Sequence, residues 1–360
     1  VVKSAVKTDI KSLVFSELEE ELCKLGEPSY RAGQIADWLY NKRVDAIDKM
    51  TNLPQPLRRR LSETFSFGKI DIVRVLGAPD TTRKFLFRLV DGNLIESVLI
   101  PASLALYGTR SDRRTICVST QVGCAYGCKF CASGLEGFSR NLTANEIVDQ
   151  IIAVESATGE RVDNIVFMGM GEPLANLENV LRAIRIINAE WGLGIGARHI
   201  TISTSGLAPQ IRKLGDEGLQ IRLAVSLHGA TDEVRNRIMP INRRYNIETL
   251  LSACDYYNAH KKQRLTFEYI LIADVNDCAE QARLLSRHAH RLSAKVNLIP
   301  YNSVSGLPWT RPSEKRQEKF LSILRAEGIP VTLRREKGHD IDAACGQLRL
   351  QTQREALGRG

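Results

Sequence analysis

Residues 116–131 read ICVSTQVGCAYGCKFC, and this stretch decides the fold. Its first six residues form a β-rich run. Directly after it, Cys124, Cys128 and Cys131 stand in C-x3-C-x2-C spacing. Three thiolates on one short loop can bind three irons of a cubane and leave the fourth iron open, whereas a fourth cysteine would close the cluster and favour plain electron transfer. An open iron can chelate the amino and carboxylate groups of S-adenosylmethionine (SAM). A structural zinc site wants four protein ligands in paired C-x2-C form, which this loop does not offer. The spacing therefore points to a [4Fe-4S] cluster on Cys124, Cys128 and Cys131, with SAM on its open iron. Phe130 suits the apolar shielding that such a cluster needs.

Outward from the loop, strand-like and helix-like segments alternate. ICVSTQ, NIVFMG, HITIST, LQIRLAVSL, LTFEYILI and KVNLIP read as six strands. Among the intervening segments, LTANEIVDQIIAVESA carries a capping box of Thr143 and Glu146 and an apolar stripe of Ile147, Ile151 and Val154. Regular βα alternation predicts an α/β fold with a parallel sheet, and six units suggest a partial barrel whose ligands gather at the carboxyl ends of the strands. The polar motifs fall at those ends. Gly169-Met170-Gly171-Glu172-Pro173 closes the second strand, where glycines let backbone approach a ligand and a carboxylate can hold the amino group of SAM. Ser203, Ser226, His228 and Asn302 follow later strands and offer donors and acceptors for ribose hydroxyls and a carboxylate. Each of these taken singly is as readily a turn or cap residue.

Upstream, residues 1–68 read as short helices in which Ile35, Trp38 and Leu39 recur at helical spacing and Pro28, Pro54 and Pro56 punctuate. This is an N-terminal helical accessory domain. Residues 69–112 contain two β-rich runs around Asp91-Gly92, the signal of a tight hairpin, and read as a linking β-hairpin and loop. Residues 113–360 are the core.

The net charge of +9 favours a polyanionic partner such as nucleic acid. Basic residues cluster at Arg58-Arg59-Arg60, Arg113-Arg114, Lys261-Lys262 and Arg334-Arg335. Four of the eight cysteines crowd between Cys117 and Cys131, which speaks for metal or redox chemistry in a reducing compartment, not a secreted disulfide framework. The first residues lack the apolar core of a signal peptide, and no apolar run reaches the roughly 18 residues of a membrane span. A cytoplasmic chain with no membrane partner is expected. Cys117 and Cys345 do not fit the cluster, and on the residues alone both are as readily buried structural thiols, like Cys23, Cys254 and Cys278.

CVSTQVGCAYGCKFCASGLEGFSRNL, FMGMGEPLAN, ISTSG, SLHGATDEVRNRIMPIN, NLIPYN and GHDIDAACGQL, spread over nearly the whole chain, resemble the RlmN/Cfr family of radical SAM RNA methyltransferases. GMGEPLAN and YNIETL are more similar to the RlmN branch. The segment between Ile100 and Cys117 is longer than that branch's pattern. The resemblance implies a partial (βα)6 radical SAM barrel and two SAM molecules per turnover. Cys345 would take a methyl group from the first by nucleophilic displacement. The second, cleaved reductively at the cluster, would supply the 5′-deoxyadenosyl radical that activates the S-methyl group for addition to C2 of an adenine. Cys117 would help release the adduct, ending in a transient disulfide with Cys345, and Glu96 would accept a proton. Gly171, Glu172, Ser203, Ser226, Leu227, His228 and Asn302 would bind SAM. The implied partners are 23S rRNA, tRNA and an external electron donor, with the chain a monomer. The sister activity at adenine C8 uses the same cysteines, and no residue chemistry here separates the two.

Overall fold

The computed structural model describes residues 7–78, 81–101, 113–135, 137–261, 263–304, 306–334 and 347–356. The helical N-terminus holds α1 (Phe15–Lys24), α2 (Tyr30–Ala36, continued by a π turn over Asp37–Asn41) and α3 (Gln55–Thr64). Ile35 and Leu39 are buried there, as their spacing requires.

Three antiparallel strands follow: β1 (Asp71–Leu76), β2 (Arg83–Arg88) and β3 (Leu94–Pro101). β4 (Arg114–Cys117) pairs with β3 antiparallel and opens the parallel series. A two-stranded ribbon of β5 (Gln121–Gly123) and β6 (Phe138–Asn141) brackets the cysteine loop. Next come α4 (Ala144–Thr158), β7 (Asn164–Phe167), α5 (Leu177–Asn188), β8 (Ile200–Thr204), α6 (Ala208–Asp216) and β9 (Arg222–Ser226). Then follow α7 (Asp232–Ile238), α8 (Ile247–Lys261), β10 (Thr266–Leu271), α9 (Ala279–Arg291), β11 (Lys295–Pro300), α10 (Glu314–Ala326), β12 (Val331–Leu333) and α11 (Gln347–Ala356).

All ten strands outside the ribbon share one sheet, in the order β1-β2-β3-β4-β7-β8-β9-β10-β11-β12. The expected parallel series is present, and three features go beyond it. The hairpin does not merely link two domains: through the β3–β4 ladder it extends the sheet itself. β1 is mostly exposed along its length and so lacks the buried face that periodicity reads. β12 is only three residues long, too short to show a period.

Phe167, Ile202, Val225, Phe267 and Leu298 are fully buried on the face of the sheet that the helices cover. The capping box of Thr143 and Glu146 starts α4 as anticipated, and Glu146 also holds Arg140 at 2.8 Å. The N-terminal helices are fastened to the barrel by a buried ion pair, Lys11 Nζ to Asp149 on α4 at 2.6 Å, and Lys11 also donates to the Gly68 carbonyl at 2.6 Å. Burial pushes the Asp149 carboxyl up to about 6 against the pull of Lys11. Arg43 adds a second tie to Glu155 at 2.5 Å. No helix among the described residues is long and apolar enough to cross a membrane.

Candidate active site

The cysteine loop leaves β5 and is held at both ends and in its middle. Cys124 N donates to Gly137 O at 2.9 Å, and Cys131 N to Cys128 O at 3.1 Å. Between them, Lys129 N donates to Ile238 O at 2.9 Å, while its carbonyl accepts from Trp309 Nε1 at 2.9 Å. The loop is thus pinned to α7 and to the segment after β11. All three thiols are half-buried. Burial pushes Cys124 up to about 12 and Cys128 higher still, with the other cysteines of the loop adding repulsion. A cationic inorganic centre bound here would favour the thiolate forms against that burial. Among the described residues no group of His, Cys, Asp or Glu side chains is set to hold a lone metal ion. Three thiols that repel one another across a single rigid loop suit a larger inorganic core.

Glu172 faces this loop from the end of β7, since its charge bears on both Cys124 and Cys128. It is buried, and its carboxylate accepts from Leu174 N at 3.0 Å and Ser205 N at 2.6 Å. Burial raises its pKa, opposed by those bonds. A ligand ammonium group would offset that burial. Gly169 and Gly171 also have a packing role. A Cβ on Gly169 would lie 2.7 Å from the Val118 backbone, and one on Gly171, at φ +96, would lie 2.5 Å from Gln121 Cβ. These glycines let residues 118–121 cross the strand end, and through that crossing they place the ribbon that carries the cysteines.

Ser203 on β8 and Ser226 on β9 bring their hydroxyls to 3.4 Å. His228, in left-handed backbone at φ 55, is buried and stands edge-on to Phe130 with ring centroids 5.0 Å apart. Its Nδ1 accepts from Ile270 N at 3.0 Å, so a neutral ring carries its proton on Nε2. Burial, with the nearby Arg235 charge, pulls its pKa down to about 3 and keeps it neutral. Leu227 is fully buried; its N donates to Glu268 O and its carbonyl accepts from Arg235 and Gly229. Asn302 is half-exposed just past β11.

A residue that the spacing did not single out ties these ends together. Arg235 on α7 is fully buried. Its Nε donates to Leu227 O at 3.0 Å, one Nη to Asn242 Oδ1 at 2.8 Å, and the other to the Ser205 carbonyl. Burial lowers its pKa to about 10, and Cys128 lies within reach of its charge. Isolated in an arginine-rich motif, its importance has no local signal.

On the far side, Cys117 ends β4, buried, opposite Val98. Glu96 is two residues from Val98 and shares that face of the sheet with Cys117. It is buried, 3.8 Å from Lys84 Nζ, and accepts the Arg349 N–H at the start of α11 at 2.5 Å. Cys345, two residues before α11, lies outside the described residues, as does the 102–112 part of the long segment before Cys117.

The radical SAM superfamily model matches residues 118–285, and the ribosomal RNA large subunit methyltransferase N-terminal domain matches residues 8–66. A probable dual-specificity RNA methyltransferase RlmN of Akkermansia muciniphila is 54% identical over 351 residues, covering 96% of this chain and 98% of that protein. The chain belongs to the RlmN family of radical SAM enzymes. A second relative named as a probable RlmN, from Staphylococcus saprophyticus, is 48% identical over 96% of this chain and 93% of its own length. The crystal structure of a radical SAM methyltransferase from Sphaerobacter thermophilus superposes with a TM-score of 0.86 at 46% identity, over 94% of this chain and 98% of that one. The sheet is therefore a radical SAM α/β barrel with a helical N-terminal region, and its cofactors are a [4Fe-4S] cluster and SAM.

Proposed function

We propose that this chain methylates C2 of adenine in 23S rRNA and tRNA, with Cys345 as the methyl carrier. It is a radical SAM methyltransferase acting on RNA. The observation that carries the C2 reading is its near-full-length similarity to proteins named dual-specificity RNA methyltransferase RlmN. Cluster and SAM together supply a carbon radical, the means of functionalising an electron-poor ring carbon that does not attack a sulfonium methyl group.

The chain's own residues divide the remaining work. Cys124, Cys128 and Cys131 hold the cluster, supported by a loop pinned at Cys124, Lys129 and Cys131. Gly171 and Glu172 receive the amino group of SAM, Ser203, Ser226, His228 and Asn302 serve its ribose and carboxylate, and Leu227 contributes to the same SAM site. His228 presents a neutral N–H donor at working pH. Cys117 resolves the adduct with Cys345, and Glu96, held by Lys84 and Arg349, accepts the proton. The target adenine leaves its stack to reach this site, so a loop or flipped nucleotide is the substrate. Residues 1–68 act as the RNA-gripping accessory domain, 69–112 as the linking hairpin and loop, and 113–360 as the catalytic core. The enzyme works as a cytoplasmic monomer fed by an external electron donor.

Mass spectrometry of nucleosides from rRNA and tRNA treated with the reconstituted enzyme should show 2-methyladenosine. Exclusive 8-methyladenosine would replace this reading with the sister activity.

A further inference from the structure

The basic clusters visible in the sequence are largely consumed within the fold. Arg59 pairs with Glu63 at 3.1 Å, and Arg114 with Glu160 at 3.3 Å. Arg60 pairs with Glu27, and Arg58 donates to the Asp48 carbonyl. Lys261 is buried against the Glu217 carbonyl. Another set of cations, of which Arg334 alone belongs to those clusters, is gathered by the sheet. Arg222 opens β9 and Lys295 opens β11. In the parallel register Ala224 faces Thr266 and Thr266 faces Lys295, which puts Arg222 level with Arg264. Lys295 N donates to Leu265 O at 3.0 Å, beside Arg264.

Alternation places these side chains on the face that the helices leave open. Arg222 shares a face with Ser226, and Lys295 shares one with Asn297, whose amide donates to Glu268 at 2.7 Å. Arg334, just past β12, adds its charge to the same Glu268. All four cations are exposed, and Thr332 stands exposed among them. They are close enough for Arg222 and Arg264 to depress Lys295, whose pKa burial already lowers. Among the described residues none of the four has an ion-pair partner within reach, and the carboxylate among them, Glu268, is buried and bonded to Asn297.

We infer that this inner face, from Arg222, Arg264 and Lys295 at the amino ends of the strands to Arg334 near their carboxyl ends, binds successive phosphates of the RNA substrate. Its dimensions exclude a small anion as the natural occupant. Two strand spacings separate Arg222 from Lys295, about 10 Å, and four residues of strand rise lead up to the level of Arg334, about 13 Å. A single phosphate cannot bridge such a span, whereas a polynucleotide backbone presents charge after charge along it. The face also runs up toward the strand ends that hold the cofactor site, so an RNA lying on it can deliver a flipped base there. This inference rests on the RNA methyltransferase reading.

The test uses the full chain with its cluster reconstituted and unmodified 23S rRNA transcribed in vitro as the probe. R222A/K295A should reduce the slope of log affinity against log salt by roughly 1.5, from two lost phosphate contacts, and raise the KM for RNA about tenfold. Its kcat at saturating RNA and its RNA-independent formation of 5′-deoxyadenosine should stay at wild-type values. R287A/K319A removes the same charge from exposed positions on the outer helices α9 and α10 and should change neither slope nor KM. An unaltered slope and KM in R222A/K295A, or an equal loss in R287A/K319A, would overturn the surface. A wild-type enzyme that binds RNA with the expected slope yet methylates none would instead overturn the activity.

Discussion

The loop from Cys124 to Cys131 and the cationic inner face of β9–β12 are both candidate sites, assembled in opposite ways. The loop draws its chemistry from eight consecutive residues. The cations at Arg222, Arg264, Lys295 and Arg334 span more than a hundred positions and meet because four strands lie in register. On the proposed cluster reading the first kind of site is all or nothing, since each thiol would be an indispensable ligand. The second is graded, because each cation contributes one contact among several. Contiguous chemistry makes a centre, and scattered chemistry makes a surface.

That contrast breaks most sharply at the thiols. Replacing any one of Cys124, Cys128 or Cys131 by Ala should abolish the brown colour and all reductive cleavage of SAM, because a cubane with one open iron needs the other three held. Iron content and the yield of 5′-deoxyadenosine measure this. A variant with normal values for both would remove that residue from the ligand set and make the loop a graded site too.

A smaller effect is expected where two distant segments meet through charge. Lys11 and Asp149 are buried together, so Lys11→Met leaves a carboxylate without its ammonium partner and should cost about 3–5 kcal/mol in denaturant unfolding. Lys11→Met/Asp149→Leu should recover most of that loss, since a well-packed apolar pair carries no desolvation cost. A loss below about 1 kcal/mol in Lys11→Met would mean that this ion pair does not hold the helices to the barrel.

The smallest effect sits within the cationic face. Burial raises Glu268 to about 7 from the ordinary 4.5, and Asn297 and the nearby cations only partly oppose it. Between these values the native chain keeps a proton that the unfolded chain has released, so stability falls as pH rises from about 4.5 to about 7. The fall is on the order of 3 kcal/mol. Glu268→Gln cannot titrate and should show a flatter stability profile across that window. At pH 8 it should also bind RNA several-fold more tightly, because the face has lost its one buried negative charge. A profile parallel to wild type would show that Glu268 ionises as readily folded as unfolded.

The sequence by itself determined the features whose parts lie within a turn or two of one another. The C-x3-C-x2-C spacing, the capping box of Thr143 and Glu146 and the Asp91-Gly92 turn are legible because covalent geometry bounds the distances between neighbours. The apolar runs of β4 and β7–β11 are legible because a buried strand must be apolar whatever it pairs with. Only the tertiary structure decided which charges are free. Lys261 looked like surface charge and is buried, Arg114 looked free and is paired, and Arg222 carried no signal yet stands at the centre of a cationic face. It also decided that Gly169 and Gly171 serve the crossing of residues 118–121, and that Arg235 binds the ends of β8 and β9 into one site. The reason is physical: strand register and helix docking set which distant residues meet, and they are settled by the packing of the whole core, not by any local run of residues.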